Sequence, residues 1–249
     1  MRDDTRRQVL LVVQYDGTDY CGFQRQPDVP TIQSELEAAL SRLLGEATRI
    51  VGSGRTDAGV HALGQTVTFR SQSPIPTERI APALNALLPL EVCVVEASVV
   101  SDEFHPRYDA AGKLYGYRIL NRKLPSPFIG RYAWHFPSKL DGALMREAAQ
   151  TLIGEHDFEA FSSSGSSIKG TVRELRRLDV EAHGELVEIR AEANGFLYMM
   201  VRRIVGTLTD VGRGLISPED AGEILRSLDR TRVKTIAPPQ GLSLIKVTY

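Results

Sequence analysis

Each half of this chain mixes helix-forming stretches with strands that read as antiparallel, and that mixture places it in the α+β class. Residues 8–15, QVLLVVQY, predict a buried strand: the stretch is rich in valine and leucine and has no breaker. Thr31 follows Pro30 and can cap a helix running to about residue 44, with Ile32, Leu36, Leu40 and Leu43 on one stripe. A short strand over 48–52, a strand at GQTVTFR, a helix over 77–87 and a strand over 93–100 follow. The second half echoes this order. Strands are expected over 113–121, 172–181, 186–193 and 241–247, and helices over 140–152, 196–211 and 218–228. The pair at 172–181 and 186–193 reads as antiparallel, turning near His183 and Gly184. No short fixed period recurs, which disfavours a solenoid. The polar SDEFHPRYDAAG, 101–112, marks a boundary, giving halves 1–105 and 106–249. SSSGSSIKG, 162–170, reads as a loop within the second half.

At 249 residues the chain suits one large domain or two intimate halves. Apolar runs such as Val9 to Val13 are far too short to span a bilayer, and no secretory leader is recognisable, so a cytoplasmic protein is expected. Cys21 and Cys93 form no CxxC pair, and the five histidines show no HxxxH spacing, so no structural zinc or iron–sulfur site is expected, while carboxylates could still hold a weak metal. The net charge of −1 lacks the basic excess of most nucleic-acid binders. A polyanion partner therefore requires positive charge gathered on one face. Local basic groups exist: Arg173, Arg176 and Arg177; Arg202 and Arg203; Arg226, Arg230, Arg232 and Lys234.

GSGRTDAGVHA, residues 52–62, holds small residues that cannot build a core, and among them Arg55 and Asp57. A dinucleotide fingerprint is excluded: Asp57 would repel a pyrophosphate, and a strand is expected to follow instead of a helix. There is no GK[ST] for a phosphate loop, and no second DTG-like segment for an aspartic protease. Two readings of Asp57 stay open. It is a turn aspartate bonded to its own backbone, or a carboxylate held out to substrate. If the segment is strand-like, Arg55 and Asp57 point the same way.

NGFLYMMVRRIVG, 194–206, reads as an apolar helix carrying Arg202 and Arg203, neither with an acidic neighbour three or four residues away. At least one of them is expected against the apolar side, and a buried guanidinium needs a partner from elsewhere in the chain. Asp57 is a chemically sensible candidate; a solvated phosphate or water is the alternative. KLYGYRILN, 113–121, puts Tyr115 and Tyr117 on one strand face, as ordinary packing or as a platform for a base. Tyr15, Tyr20 and Phe23 lie close in sequence to Arg25 in YDGTDYCGFQRQ, a mixture that suits an unstacked nucleotide better than a duplex.

YDGTDYCGFQRQ, GSGRTDAGVHA, KLYGYRILN, NGFLYMMVRRIVG and the closing GLSLIKV occur in order across essentially the whole chain, and together they resemble the tRNA pseudouridine synthase A family. GRTDAGVHA is the most specific of them. The resemblance implies an isomerase that converts uridine to pseudouridine at positions 38, 39 and 40 of the tRNA anticodon stem-loop. It implies two related α+β halves around a shared, mostly antiparallel sheet with a basic cleft, a homodimer, and neither cofactor nor metal. By the same resemblance Asp57 is the catalytic aspartate, Tyr115 packs against the target base, Arg202 pairs with the carboxylate, and Arg55 helps displace the base. Phe23 departs from the tryptophan of many members but keeps an aromatic ring. Two other classes compete: a non-catalytic RNA-binding module, and a glycoside or nucleoside hydrolase using Asp16, Asp19 and Asp57.

Overall fold

A computed structural model describes residues 7–163 and 170–249. The chain divides into two compact units, Met1–Ala111 with Leu244–Tyr249, and Gly112–Ser243. The sequence placed the boundary at 105/106. The observed division falls after Ala111, and the last six residues return to the first unit, a non-local pairing that no local pattern announces.

The first unit holds β1 (Arg7–Tyr15), α1 (Ile32–Leu44), β2 (Val51–Gly52), β3 (His61–Ser71), α2 (Thr77–Asn85) and β4 (Val92–Val100). It also takes in the end of β10 (Leu242–Thr248). Its strands run in the order β4-β1-β3-β10, with β2 on β3. β1 is antiparallel to both neighbours, pairing Val9 with Phe69 and Leu11 with Val67 on β3. Val9, Leu11, Val13, Val67 and Phe69 are fully or almost fully buried and form the centre of this unit's core. Gly64 lets β10 come close, since a Cβ there would lie 2.5 Å from the Ile245 carbonyl oxygen.

α1 begins at Thr31 through a capping box with Ser34 and ends at Gly45 in the left-handed region. Ile32, Leu36 and Leu40 are wholly buried, each stabilising the unit by roughly 1.5–3 kcal/mol relative to exposure. Glu37, on the same helix, is 2% exposed and accepts from Arg49, the Ile50 N–H and Gln33. That paired carboxylate ties α1 to the segment leading into β2. The strand expected over 48–52 shrinks to Val51–Gly52, because the backbone at 48–50 bonds to Ser41 and Glu37 side chains in place of a strand partner.

The second unit holds β5 (Gly112–Asn121), β6 (Trp134–Phe136), α3 (Gly142–Gln150), β7 (Gly154–Asp157), β8 (Val172–His183), β9 (Leu186–Ala193), α4 (Met200–Gly212) and α5 (Pro218–Ser227). Its strands run β5-β9-β8-β7, antiparallel throughout, with β6 parallel to β5. β8 and β9 form the expected hairpin, with His183 opposite Leu186 and Gly184 at φ +64°. The chain is thus mixed α+β with mostly antiparallel sheet. α3 packs on α4, α5 and β8. Within the predicted loop over 162–170, residues 164–169 lie outside the described residues.

α4 starts at Met200, later than the predicted 196, because Met199 takes φ +65°. Every residue of it except Arg202 is buried. Such a helix must carry its neighbours close. A Cβ on Gly206 would lie 1.9 Å from the Thr235 carbonyl oxygen, so only glycine admits the 235–238 segment at that distance.

Candidate active site

The glycine loop joins β2 to β3. Its first residues are pinned to β3: the Ser53 N–H donates to Thr66 O at 2.9 Å, and Gln65 Nε2 donates to Gly54 O at 3.2 Å. Residues 53–57 belong to no strand, so the shared-face argument for Arg55 and Asp57 does not apply. Arg55 is exposed and Asp57 half-buried. Asp57 opens a β-turn in which its carbonyl accepts from Val60 N–H at 3.2 Å, and Gly59 supplies φ +74°. The carboxylate thus stands at the start of a turn whose interior residue must be glycine.

The stretch YDGTDYCGFQRQ is the other wall of this loop. The Phe23 N–H donates to Thr56 O at 3.1 Å, and the Tyr15 hydroxyl lies 2.8 Å from the buried Thr56 hydroxyl. Burial pushes the Tyr15 hydroxyl well above its ordinary range, so it stays protonated. Gly22, at φ +89°, brings its backbone so near that a Cβ would sit 2.8 Å from Thr56 O. At Gly17 the approach is tighter still: a Cβ there would lie 2.0 Å from Val60 O. Two loops are therefore laminated backbone to backbone, and Asp57 is fixed by neighbours on both sides. The Phe23 ring lies over Gly52, where a Cβ would be 2.7 Å from its Cε1, and it is 2% exposed. Packing, not base contact, accounts for this ring.

Asp16 accepts from both the N–H and the hydroxyl of Thr18, at 3.0 and 2.6 Å, and lies 3.1 Å from His61 Nδ1. The Gly17 N–H is also 3.1 Å from that nitrogen. Nδ1 cannot accept from Gly17 and hold a proton towards Asp16 at once, so whether that nitrogen carries a proton selects between them. Asp16 is committed to the loop's own structure, which argues against its use as a second hydrolytic carboxylate.

In the second unit Tyr115 lies opposite Ala191, buried, with its ring edge-on to Phe196 at 5.1 Å. Tyr117, two residues on, is 1% exposed and donates its hydroxyl to Pro238 O at 2.7 Å. Burial raises its pKa and the nearby Arg202 charge opposes that rise. Arg202 is half-buried; its Nε donates to Ala237 O at 2.8 Å, and one terminal nitrogen lies 3.1 Å from Met199 Sδ. Arg203 is the deeply buried arginine of the two. It is held by the carbonyls of Ala160, at 3.2 Å, and Arg230, while its Nε has no partner among the described residues. Carbonyl dipoles stand in for the carboxylate that sequence reasoning sought for it. Desolvation, and then Arg230, lowers its pKa. Arg55 and Asp57 thus share one loop of the first unit, and Tyr115 and Arg202 belong to the second.

Sequence reasoning passed over Thr56 and the 235–238 segment. The threonine between Arg55 and Asp57 was a signal for the first, and the pair Pro238-Pro239 for the second. Among the described residues no three His, Cys, Asp or Glu side chains are grouped as a metal site requires.

Residues 11–109 and 148–249 match the model of a family described as tRNA pseudouridine synthase. The chain belongs to that family. The tRNA pseudouridine synthase A of Thermoanaerobacter sp. (strain X514) is 47% identical over 243 residues, covering 98% of this chain and 100% of that protein. The enzyme of the same name from Caldicellulosiruptor saccharolyticus (strain ATCC 43494 / DSM 8903 / Tp8T 6331) is 43% identical over the same shares. A solved archaeal box H/ACA sRNP Nop10-Cbf5 complex is a remote likeness, 15% identical with a TM-score of 0.32, over 95% of this chain and 46% of that one. This pseudouridine synthase is an isomerase acting on tRNA. The reaction breaks the N1–C1′ bond of a uridine, turns the base and joins C5 to C1′. The C5 hydrogen passes to water and N1 gains a proton, so no electrons are exchanged with a carrier. Among the described residues no helix is long and apolar enough to cross a membrane.

Proposed function

We propose that this synthase modifies uridines 38, 39 and 40 of the tRNA anticodon stem-loop, with Asp57 as its catalytic carboxylate. The observation that carries the reading is the lamination at Asp57: a half-buried carboxylate on a turn with Gly59 inside it, next to Thr56, whose carbonyl is held by the Phe23 N–H and whose hydroxyl is held by the Tyr15 hydroxyl. Glycine and alanine beside it let a nucleotide approach the backbone. A uracil must leave the stack before its glycosidic bond can be reached, and an unpaired or end-of-stem nucleotide costs least to extrude. One carboxylate suffices for the chemistry, as nucleophile or as base towards the ribose.

Arg202 supplies the guanidinium that keeps the carboxylate ionised, Tyr115 holds the turning base, and Arg55, exposed on the same loop, displaces it from the stem. The enzyme works in the cytoplasm as a homodimer without cofactor; sedimentation at the monomer mass under assay conditions would refute the dimer. The non-catalytic module is disfavoured because a carboxylate in the binding loop weakens polyanion binding. The site assignment is tested by mapping pseudouridine along an unmodified tRNA transcript. Wild type is expected to mark 38, 39 and 40, and Asp57→Asn none of them. Marks elsewhere in the tRNA would refute the stem-loop assignment.

A further inference from the structure

The 235–238 segment lies across α4 as a strap. It is held on one side by the contact of Thr235 O with the Gly206 backbone and by the Thr235 hydroxyl, which donates to Asp210 at 2.7 Å. The Ala237 N–H donates to Arg202 O at 3.0 Å while Arg202 Nε returns a bond to Ala237 O at 2.8 Å. That reciprocal pair fixes both the backbone and the guanidinium of Arg202 to one strap residue. Next to it, Pro238 O accepts from the Tyr117 hydroxyl at 2.7 Å. The Tyr117 ring is pressed against Gly241, where a Cβ would lie 2.6 Å from Cε1 and Cζ. Pro238 carries no N–H, so its carbonyl is the strap's polar attachment at that residue.

We propose that Tyr117 is a positioning residue for the isomerisation, its hydroxyl anchoring the strap whose Ala237 carbonyl orients Arg202. The inference rests on the reading of Arg202 as the guanidinium that serves the catalytic carboxylate. Arg202 spends its Nε on Ala237 and so presents its terminal nitrogens in a plane set by the strap. Shifting the strap rotates that plane. Tyr117 need touch neither base nor carboxylate to matter.

Tyr117→Phe removes one hydroxyl and keeps the ring that packs on Gly241. The test is a double-mutant cycle read by single-turnover release of tritium from C5-labelled tRNA, with tRNA affinity measured alongside. Tyr117→Phe is expected to slow release by about ten- to a hundredfold at unchanged tRNA affinity. In the Arg202→Met background it is expected to slow the residual release no further. Equal losses in both backgrounds would show that the hydroxyl acts on the fold in general and would overturn the proposal. So would undiminished release by Tyr117→Phe alone. Full release by Arg202→Met would overturn the reading of Arg202 itself, and is told apart because it appears without any change at Tyr117. Gly206→Ala, which forces the strap off the helix, is expected to reproduce the Tyr117→Phe phenotype if it folds; a folded Gly206→Ala enzyme with undiminished release would contradict the proposal.

Discussion

Thr56 does for Asp57 what no feature of the aspartate itself can do. Its carbonyl accepts from Phe23 and its buried hydroxyl meets Tyr15, so the residue before the carboxylate is fixed twice. Thr56→Val keeps the shape and deletes the hydroxyl. The Tyr15 hydroxyl, wholly buried, then loses a partner, at a cost of about 1–2 kcal/mol. Urea denaturation is expected to show that loss with an unchanged m-value, and unaltered stability would contradict it. Much of this site was legible residue by residue, because glycines at turns and a lone carboxylate in a coreless stretch are local signals. The common face of Arg55 and Asp57 was not, since it presumed a strand where the backbone of 53–57 bonds instead to β3 and to the 15–26 loop. The two arginines were legible only as a pair. That Arg203 and not Arg202 is the deeply buried one depends on the carbonyls of Ala160 and Arg230, which lie far off in sequence.

α1 connects the loop that clasps Asp57 to the core, so its first turn matters beyond its own stability. The Ile32 N–H donates to Gly22 O at 3.2 Å and Gln33 N–H to Phe23 O at 2.9 Å. Thr31 caps this turn, as its place after Pro30 indicated. Thr31→Ala is expected to cost about 1 kcal/mol in thermal or denaturant unfolding, and to loosen the loop at Gly22. No change in either stability or hydrogen exchange at Gly22 would contradict that coupling. Elements with a strong period were read correctly in kind: α1, β1, β3, β5 and the β8–β9 hairpin. β6 and β7 were missed. Trp134–Phe136 is too short to show a period, and Gly154–Asp157, GEHD, is polar and is a strand only because β8 offers it a partner. The start of α4 was placed four residues early, because apolar periodicity continues through Phe196 and Leu197 while Met199 turns left-handed.

Across the whole molecule, the proposed machinery is divided: Arg55 and Asp57 in the first unit, Tyr115, Tyr117 and Arg202 in the second. A chain with a net charge of −1 gives no bulk hint of an RNA substrate, and here composition was silent where motif order was not. The return of Leu244–Tyr249 to the first unit was also beyond local reading, although GLSLIKV was recognisable as a strand. The proposed chemistry rests on a single carboxylate, Asp57, for the C–N to C–C exchange. The direct measurement is tritium release into water from tRNA labelled at uridine C5, by wild type and by Asp57→Asn. Joining C5 to C1′ must expel that hydrogen. The account predicts stoichiometric release by wild type, and none by a folded Asp57→Asn enzyme that still binds the tRNA. Substantial release by the variant would contradict it.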